Sequence, residues 1–162
     1  MVDEQTGSEN NGAAANGEDE ETMQFAPEIN IEAQYVKDLS FENPMGPLVP
    51  PEARTAPEIS VDVTTGGRPV GNGRYEVTLQ FRAEAATKES TVFILELTYG
   101  GIMTVSNVPD EAINAILLIE GARLIFPFAR NIIADVTRDG GFPPLFLQPI
   151  DFIDLYRSQH AE

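Results

Sequence analysis

From Tyr75 to Ala85 the chain alternates without a break. Tyr75, Val77, Leu79, Phe81, Ala83 and Ala85 are apolar, and Glu76, Thr78, Gln80, Arg82 and Glu84 lie between them. A period of two over this length permits one thing only, a β-strand with one wet and one covered face. Three further stretches follow the same logic. Ile29, Ile31, Ala33 and Tyr35 alternate with polar residues and predict a strand with one buried face. Val36 to Pro51 then breaks up, because Pro44, Gly46, Pro47, Pro50 and Pro51 oppose long regular structure. Ile59, Val61 and Val63 form a second alternating run, ended by Gly66-Gly67. Thr91 to Ser106 is a fourth strand, apolar on both faces around Phe93–Leu97 and interrupted at Gly100-Gly101 as a bulge would interrupt it. Short polar connections favour an antiparallel meander.

After Asn107 the period becomes helical. Pro109-Asp110-Glu111 suits a first turn, with acids at the positive end of the helix dipole. Ala112 to Ile119 continues it, and Gly121 is a stop or kink. A second helix is expected from about Phe126 to Asp139, with Pro127 in its first turn, since a Pro in the interior costs about 3 kcal/mol. Gly140-Gly141 is a C-terminal stop. The apolar loop 142–149 (FPPLFLQP) leads to a short helix near Asp151, with Phe152, Leu155 and Tyr156 on one face. Strands followed by helices predict an α+β fold, a four-stranded antiparallel sheet with helices packed on one face and helices at the C-terminus. The stripe Phe128, Ile132, Ile133 and Val136 is wider than a monomer needs, so it is expected at an oligomer interface.

Composition narrows the function. Among 162 residues there are 26 acids against 10 Lys and Arg, a net charge of −16, no Cys and a single His. No disulfide, thiolate nucleophile or Cys-ligated metal is available, and a His-based metal site or relay is not expected. The acidic balance opposes nucleic acid and anionic membranes, both of which reward cations. Residues 1–22 carry seven acids and no base, with too little apolar surface to offset ordering, so they are expected to form a disordered acidic tail. Residues 23–162 are expected to form a single domain. No apolar run approaches the ~20 residues of a membrane-spanning helix.

Few residues invite chemistry. Asp38 and Glu42 lie four apart beside Lys37, and a carboxylate pair can do acid–base work, but in so acidic a chain a solvated turn is the simpler reading. Glu96 is an acid inside an apolar strand and either faces water, pairs with an Arg or marks a docking surface. His160 sits at a terminus, and the glycine pairs match no phosphate-binding loop. The expectation is therefore a binder without catalytic residues, metal or cofactor. Phe41, Leu48, Val49, Phe142, Leu145 and Phe146 sit in Pro-rich connections. Together they are expected to line a groove for an extended apolar peptide.

The segment Tyr35-Val36-Lys37-Asp38-Leu39-Ser40-Phe41-Glu42-Asn43-Pro44 resembles the YxKDxSFExP signature of the SecB protein-export chaperones. Gly100-Gly101-Ile102, the run Leu124-Ile125-Phe126-Pro127-Phe128-Ala129-Arg130 and Gly141-Phe142-Pro143-Pro144 resemble that family in order and spacing, over about residues 24 to 158. The resemblance implies a cytoplasmic, ATP-independent holdase that binds unfolded precursor proteins and delivers them to the SecA motor. It implies a homotetramer, a dimer of dimers, with the first strand and sheet edges in the dimer and the long helices between dimers. It also implies that Asp38, Glu42 and Glu96, with Ile94 as apolar neighbour, contact SecA. Any zinc would belong to that partner. A relative dedicated to a toxin–antitoxin pair is the alternative on the same fold. The acidic extension and the absence of Trp depart from the commonest family pattern.

Overall fold

The computed structural model describes residues 26–161, so the expected tail 1–22 lies outside the described residues. Four strands form one antiparallel sheet: β1 Glu28–Glu42, β2 Glu58–Gly71, β3 Arg74–Ala86 and β4 Thr91–Ser106. Their order is β1-β4-β3-β2. Only β2, β3 and β4 form a meander, and β1 lies beyond β4 rather than beside β2, which corrects the simple meander expected. The link from β1 to β2 must cross the sheet, and it carries the 3₁₀ turn Gly46–Leu48 and a short helix α1, Pro51–Thr55. Its prolines therefore mark a crossover that begins after Glu42, not after Tyr35. The β2–β3 turn needs left-handed backbone at Gly71, Asn72 and Gly73, the residue types that tolerate it.

Strand β1 runs seven residues past the expected break because two bulges hide its period. Register shifts fall between Ile31 and Ala33 and between Val36 and Asp38. Each extra residue switches the following side chains to the other face. Ile29 and Ile31 pack into the core. Ala33 and Tyr35 then turn to the opposite face, opposite Ile102 and Gly100, so the expected shared face of Ile29 to Tyr35 is corrected. After the second bulge Leu39 and Phe41 pair with Leu97 and Leu95 on the core side. Strand β4 itself is unbroken at Gly100-Gly101. A Cβ at Gly100 would lie 2.8 Å from the Tyr35 ring, so this glycine makes room for a tyrosine.

The helical part is one continuous run. A 3₁₀ turn, Asp110–Ala112, leads into α2 (Ile113–Ile116), a π turn (Leu117–Gly121) and α3 (Ala122–Asp139). Pro127 lies inside α3 rather than in a first turn. Its side of the helix is exposed, where the carbonyl it leaves unpaired is open to water. Gly121 does not stop the helix. A Cβ there would lie 3.0 Å from Met103 Sδ, so its absence lets the π turn settle onto the sheet. The run Asp110–Asp139 is long and apolar enough, by length and composition alone, to cross a membrane, which the sequence reading did not anticipate. In the fold its buried face, Ala122, Ile125, Phe126, Ala129 and Ile133, packs against β3 and β4.

The core lies between this helix and the odd-numbered side chains of β3 and β4: Val77, Leu79, Phe81, Leu95, Leu97 and Met103 are all within 3% of complete burial. Each such Leu or Phe contributes about 1.5–3 kcal/mol. Helix α4, Phe152–Gln159, is capped by Asp151, whose carboxylate accepts from the Ile153 and Asp154 amides at 3.0 Å. Phe152 is 1% exposed and meets Phe126 edge-on at 5.7 Å. Between α3 and α4, Thr137 Oγ1 donates to the Ile133 carbonyl at 2.8 Å and accepts from the Leu145 amide at 2.9 Å, which pins the proline-rich loop.

Candidate docking surfaces

All helices lie on one side of the sheet, so among the described residues the other side carries the even-numbered side chains of β3 and β4 into the open. The register brings the predicted acids together there. Glu42 pairs with Ile94, Ser40 with Glu96, and Asp38 with Thr98. Asp38, Glu42, Ile94 and Glu96 thus share one patch on the neighbouring strands β1 and β4. The second β1 bulge creates it, since Lys37 and Asp38 both point to this side, and without the extra residue Asp38 and Glu42 would face the core. Asp38, Glu42 and Glu96 are exposed and Ile94 is half-buried. Beside them a shallow hollow of 280 Å³ is lined by Asp38, Asp62, Thr64, Gln80, Arg82, Glu96 and Thr98. Arg82 bonds Glu96 across the β3–β4 pair and reaches Glu84 at 3.5 Å. Of the open readings of Glu96, the structure therefore combines exposure with an Arg partner.

The other half of this face is closed by a residue the sequence reading passed over. Glu76 is 5% exposed. Lys37 Nζ and Arg68 Nε each donate to Glu76 Oε1 at 2.8 Å, and the Tyr35 hydroxyl donates to Oε2. These donors, Lys37 first and Tyr35 next, hold the Glu76 carboxyl down to about 2 against the burial that opposes them. Burial, with the Glu76 hydrogen bond, pushes the Tyr35 hydroxyl up to about 12. Nothing in the alternation of β3 separates Glu76 from Glu84. The separation arises from partners that β1 and β2 bring across the sheet.

The apolar residues from the loops divide. Phe41, on β1 rather than in a loop, meets Phe93 at 5.6 Å and Phe142 at 6.2 Å, and Phe93 meets Phe142 at 5.1 Å. Val49 and Phe142 belong to the same small cluster and are 6% and 7% exposed, which corrects them from groove contacts to its packed base. The driving force is the burial of three rings that β1, β4 and the loop after α3 bring to one end of the sheet. A hollow of 150 Å³ beside this cluster is lined by Pro57, Ile59, Phe93, Phe142, Pro143, Pro144 and Leu145. Leu145 is half-buried, and Leu48 and Phe146 stand in solvent, 78% and 69% exposed. Ile59 is 44% exposed, and the sequence reading did not single it out for the groove.

Along α3, Phe128 is 50% exposed and Leu124 44%, while Ile132 and Val136 are half-buried. Ile133 is fully buried within its own chain and is corrected from interface to core. His160 stacks on Tyr156 at 4.3 Å at the end of α4.

Residues 22–162 match the family model described as preprotein translocase subunit SecB. The protein-export protein SecB of Parvibaculum lavamentivorans is 47% identical over 156 residues, which cover 96% of this chain and 89% of the relative. That of Paramagnetospirillum magneticum is 49% identical over 138 residues, 84% of this chain and 88% of the relative. Among solved structures, a Mycobacterium tuberculosis SecB-like chaperone in complex with a ChAD peptide from the HigA1 antitoxin is similar. Its TM-score is 0.59 and its identity 13%, with 75% of this chain and 90% of the other covered. At that identity the likeness concerns the fold.

Proposed function

The chain belongs to the SecB family and is a protein-export chaperone, and from this premise we propose how its two surfaces divide the work. The groove floored by Phe93, Phe142 and Leu145, with Leu48 and Phe146 exposed near its loops, takes extended apolar segments of unfolded precursors. Apolar contact of this kind tolerates many sequences. The acidic patch of Asp38, Glu42, Ile94 and Glu96 takes the basic surface of SecA. The convergence of these four side chains on one open face, through a bulge, is the observation that carries this reading. Negative charge there speeds encounter with a basic partner and makes it depend on salt.

The protein acts as an ATP-independent holdase in the cytoplasm, with no catalytic step, cofactor or metal of its own. It works as a homotetramer, a dimer of dimers, in which Phe128, Ile132 and Val136 of α3 meet another dimer. Several copies of the groove hold one long client through multivalency. Dedication to a toxin–antitoxin pair is the weaker alternative, because sequence identity of 47–49% ties the chain to export proteins while the antitoxin-bound chaperone shares 13%.

The test is light scattering followed by an aggregation assay. The purified chain is expected at the mass of four copies and to suppress aggregation of a refolding precursor without nucleotide. A monomer at micromolar concentration contradicts the assembly, and unhindered aggregation contradicts the holdase.

A further inference from the structure

Among the cations on the open face of the sheet, Lys37, Arg68 and Arg82 are not alike. Lys37 and Arg68 are both held at 2.8 Å by the buried Glu76. Arg82 has no such anchor. It projects from the middle of β3, with Glu96 opposite on β4 and Asp62 opposite on β2. It bonds Glu96 and lies 3.5 Å from Glu84, at the rim of the hollow that Asp38 also lines. Arg82 is 46% exposed, Glu96 48% and Glu84 35%. An ion pair this exposed gains little over hydrated partners. It exchanges readily with another guanidinium or ammonium, because neither charge must be stripped of water first.

We propose that Arg82 is a built-in competitor, a cation of the chain itself that occupies Glu96 until an arginine- or lysine-rich segment of a partner displaces it. This rests on the reading above that the open face receives a basic partner. The chemistry is a cation exchange on one carboxylate. Weakly basic segments fail to displace Arg82, whereas a segment with several cations engages Asp38, Asp62 and Glu96 together and wins. Arg82 therefore sets a threshold for the charge density of the partner, and so the specificity of the patch. Its guanidinium also keeps like charges apart while the face is empty, since Asp62, Glu84 and Glu96 surround it.

The experiment measures binding of a fluorescein-labelled hexaarginine peptide and of purified SecA to the full chain, its Arg82→Gln and Arg82→Lys variants, and an Arg82→Gln/Glu96→Gln double variant. Removing the competitor is expected to tighten both interactions about two- to fivefold at low salt, the worth of an exposed pair, and to steepen their salt dependence. Arg82→Lys keeps a competing cation and stays within about twofold of the parent. In the double variant the gain disappears, because the contested carboxylate is gone. Unchanged or weaker binding by Arg82→Gln overturns the proposal and makes Arg82 a support for Glu96 instead. A parent that binds hexaarginine but not SecA defeats the earlier reading of the partner, while the peptide series still decides the role of Arg82. A parent that binds neither defeats both.

Discussion

Two carboxylates on the open face of the sheet, Glu76 and Glu96, have cationic partners in opposite settings. Glu76 is buried and accepts from Lys37, Arg68 and Tyr35 on two other strands. Glu96 stands in solvent and shares one exposed arginine with Glu84. The first joins β1 and β2 to β3, is buried, and already serves three donors of this chain. The second has spare acceptor positions and neighbours of its own sign. Counting acids along the strands does not tell the two apart. What matters is how many donors from this chain each carboxylate already serves, because only unspent acceptors are available to another molecule.

That contrast is open to attack at several points. Glu76→Ala leaves Lys37 and Arg68 side by side with no counter-charge and should cost about 3 kcal/mol in urea unfolding, the low end for breaking a buried ion pair because both cations are partly exposed. The sign with pH follows from its depressed ionisation. The folded carboxyl titrates at about 2 and the unfolded one near 4.5, so the stabilisation is fully present above 4.5 and is lost as pH falls from there towards 2. Glu76→Gln should flatten that acid limb, and a limb of parental steepness would show that other carboxylates govern it. In the groove, Phe146→Ser and Leu48→Ser should each weaken holding of an unfolded precursor about three- to tenfold, with unfolding midpoints unchanged, because both side chains already stand in water. Phe142→Ser should instead lower stability, since that ring packs against Phe41 and Phe93. The smallest effect belongs to Glu96→Gln, which should shift the unfolding midpoint by less than an equivalent of about 0.5 kcal/mol. A large loss there would place Glu96 with Glu76 and erase the distinction.

Much of the scaffold was legible in the chain. The alternation at Tyr75–Ala85 announced β3 and its faces, Asp151 marked the start of α4, and Gly140-Gly141 ended α3, with Gly141 in left-handed backbone. The misreadings have local causes. The alternation of β1 looks too short in the sequence because two bulges break its period, and the second of these is what presents Asp38 and Glu42 on the open face. Local sequence carries no direct sign of a bulge. Pro127 and Gly121 look like boundaries in the sequence because helix rules assume four-residue hydrogen bonding and a buried backbone. The π turn and an exposed proline evade both assumptions. Asp38, Glu42 and Glu96 stand out in the sequence and resemblance to a family supplies their role, whereas Glu76 and Arg82 become visible only when the register sets their neighbours.

The central claim is that the unspent carboxylates, not the total negative charge, form the docking surface. The most direct measurement compares SecA affinity of the parent with that of an Asp38→Asn/Glu42→Gln variant and of a control that removes two exposed acids from the helical side of the fold, Glu111→Gln/Asp154→Asn. The account predicts at least about tenfold weaker binding at low salt for the first pair, narrowing as salt rises, and parental affinity for the control. Equal losses from both pairs, or none from the first with its fold intact, would contradict it.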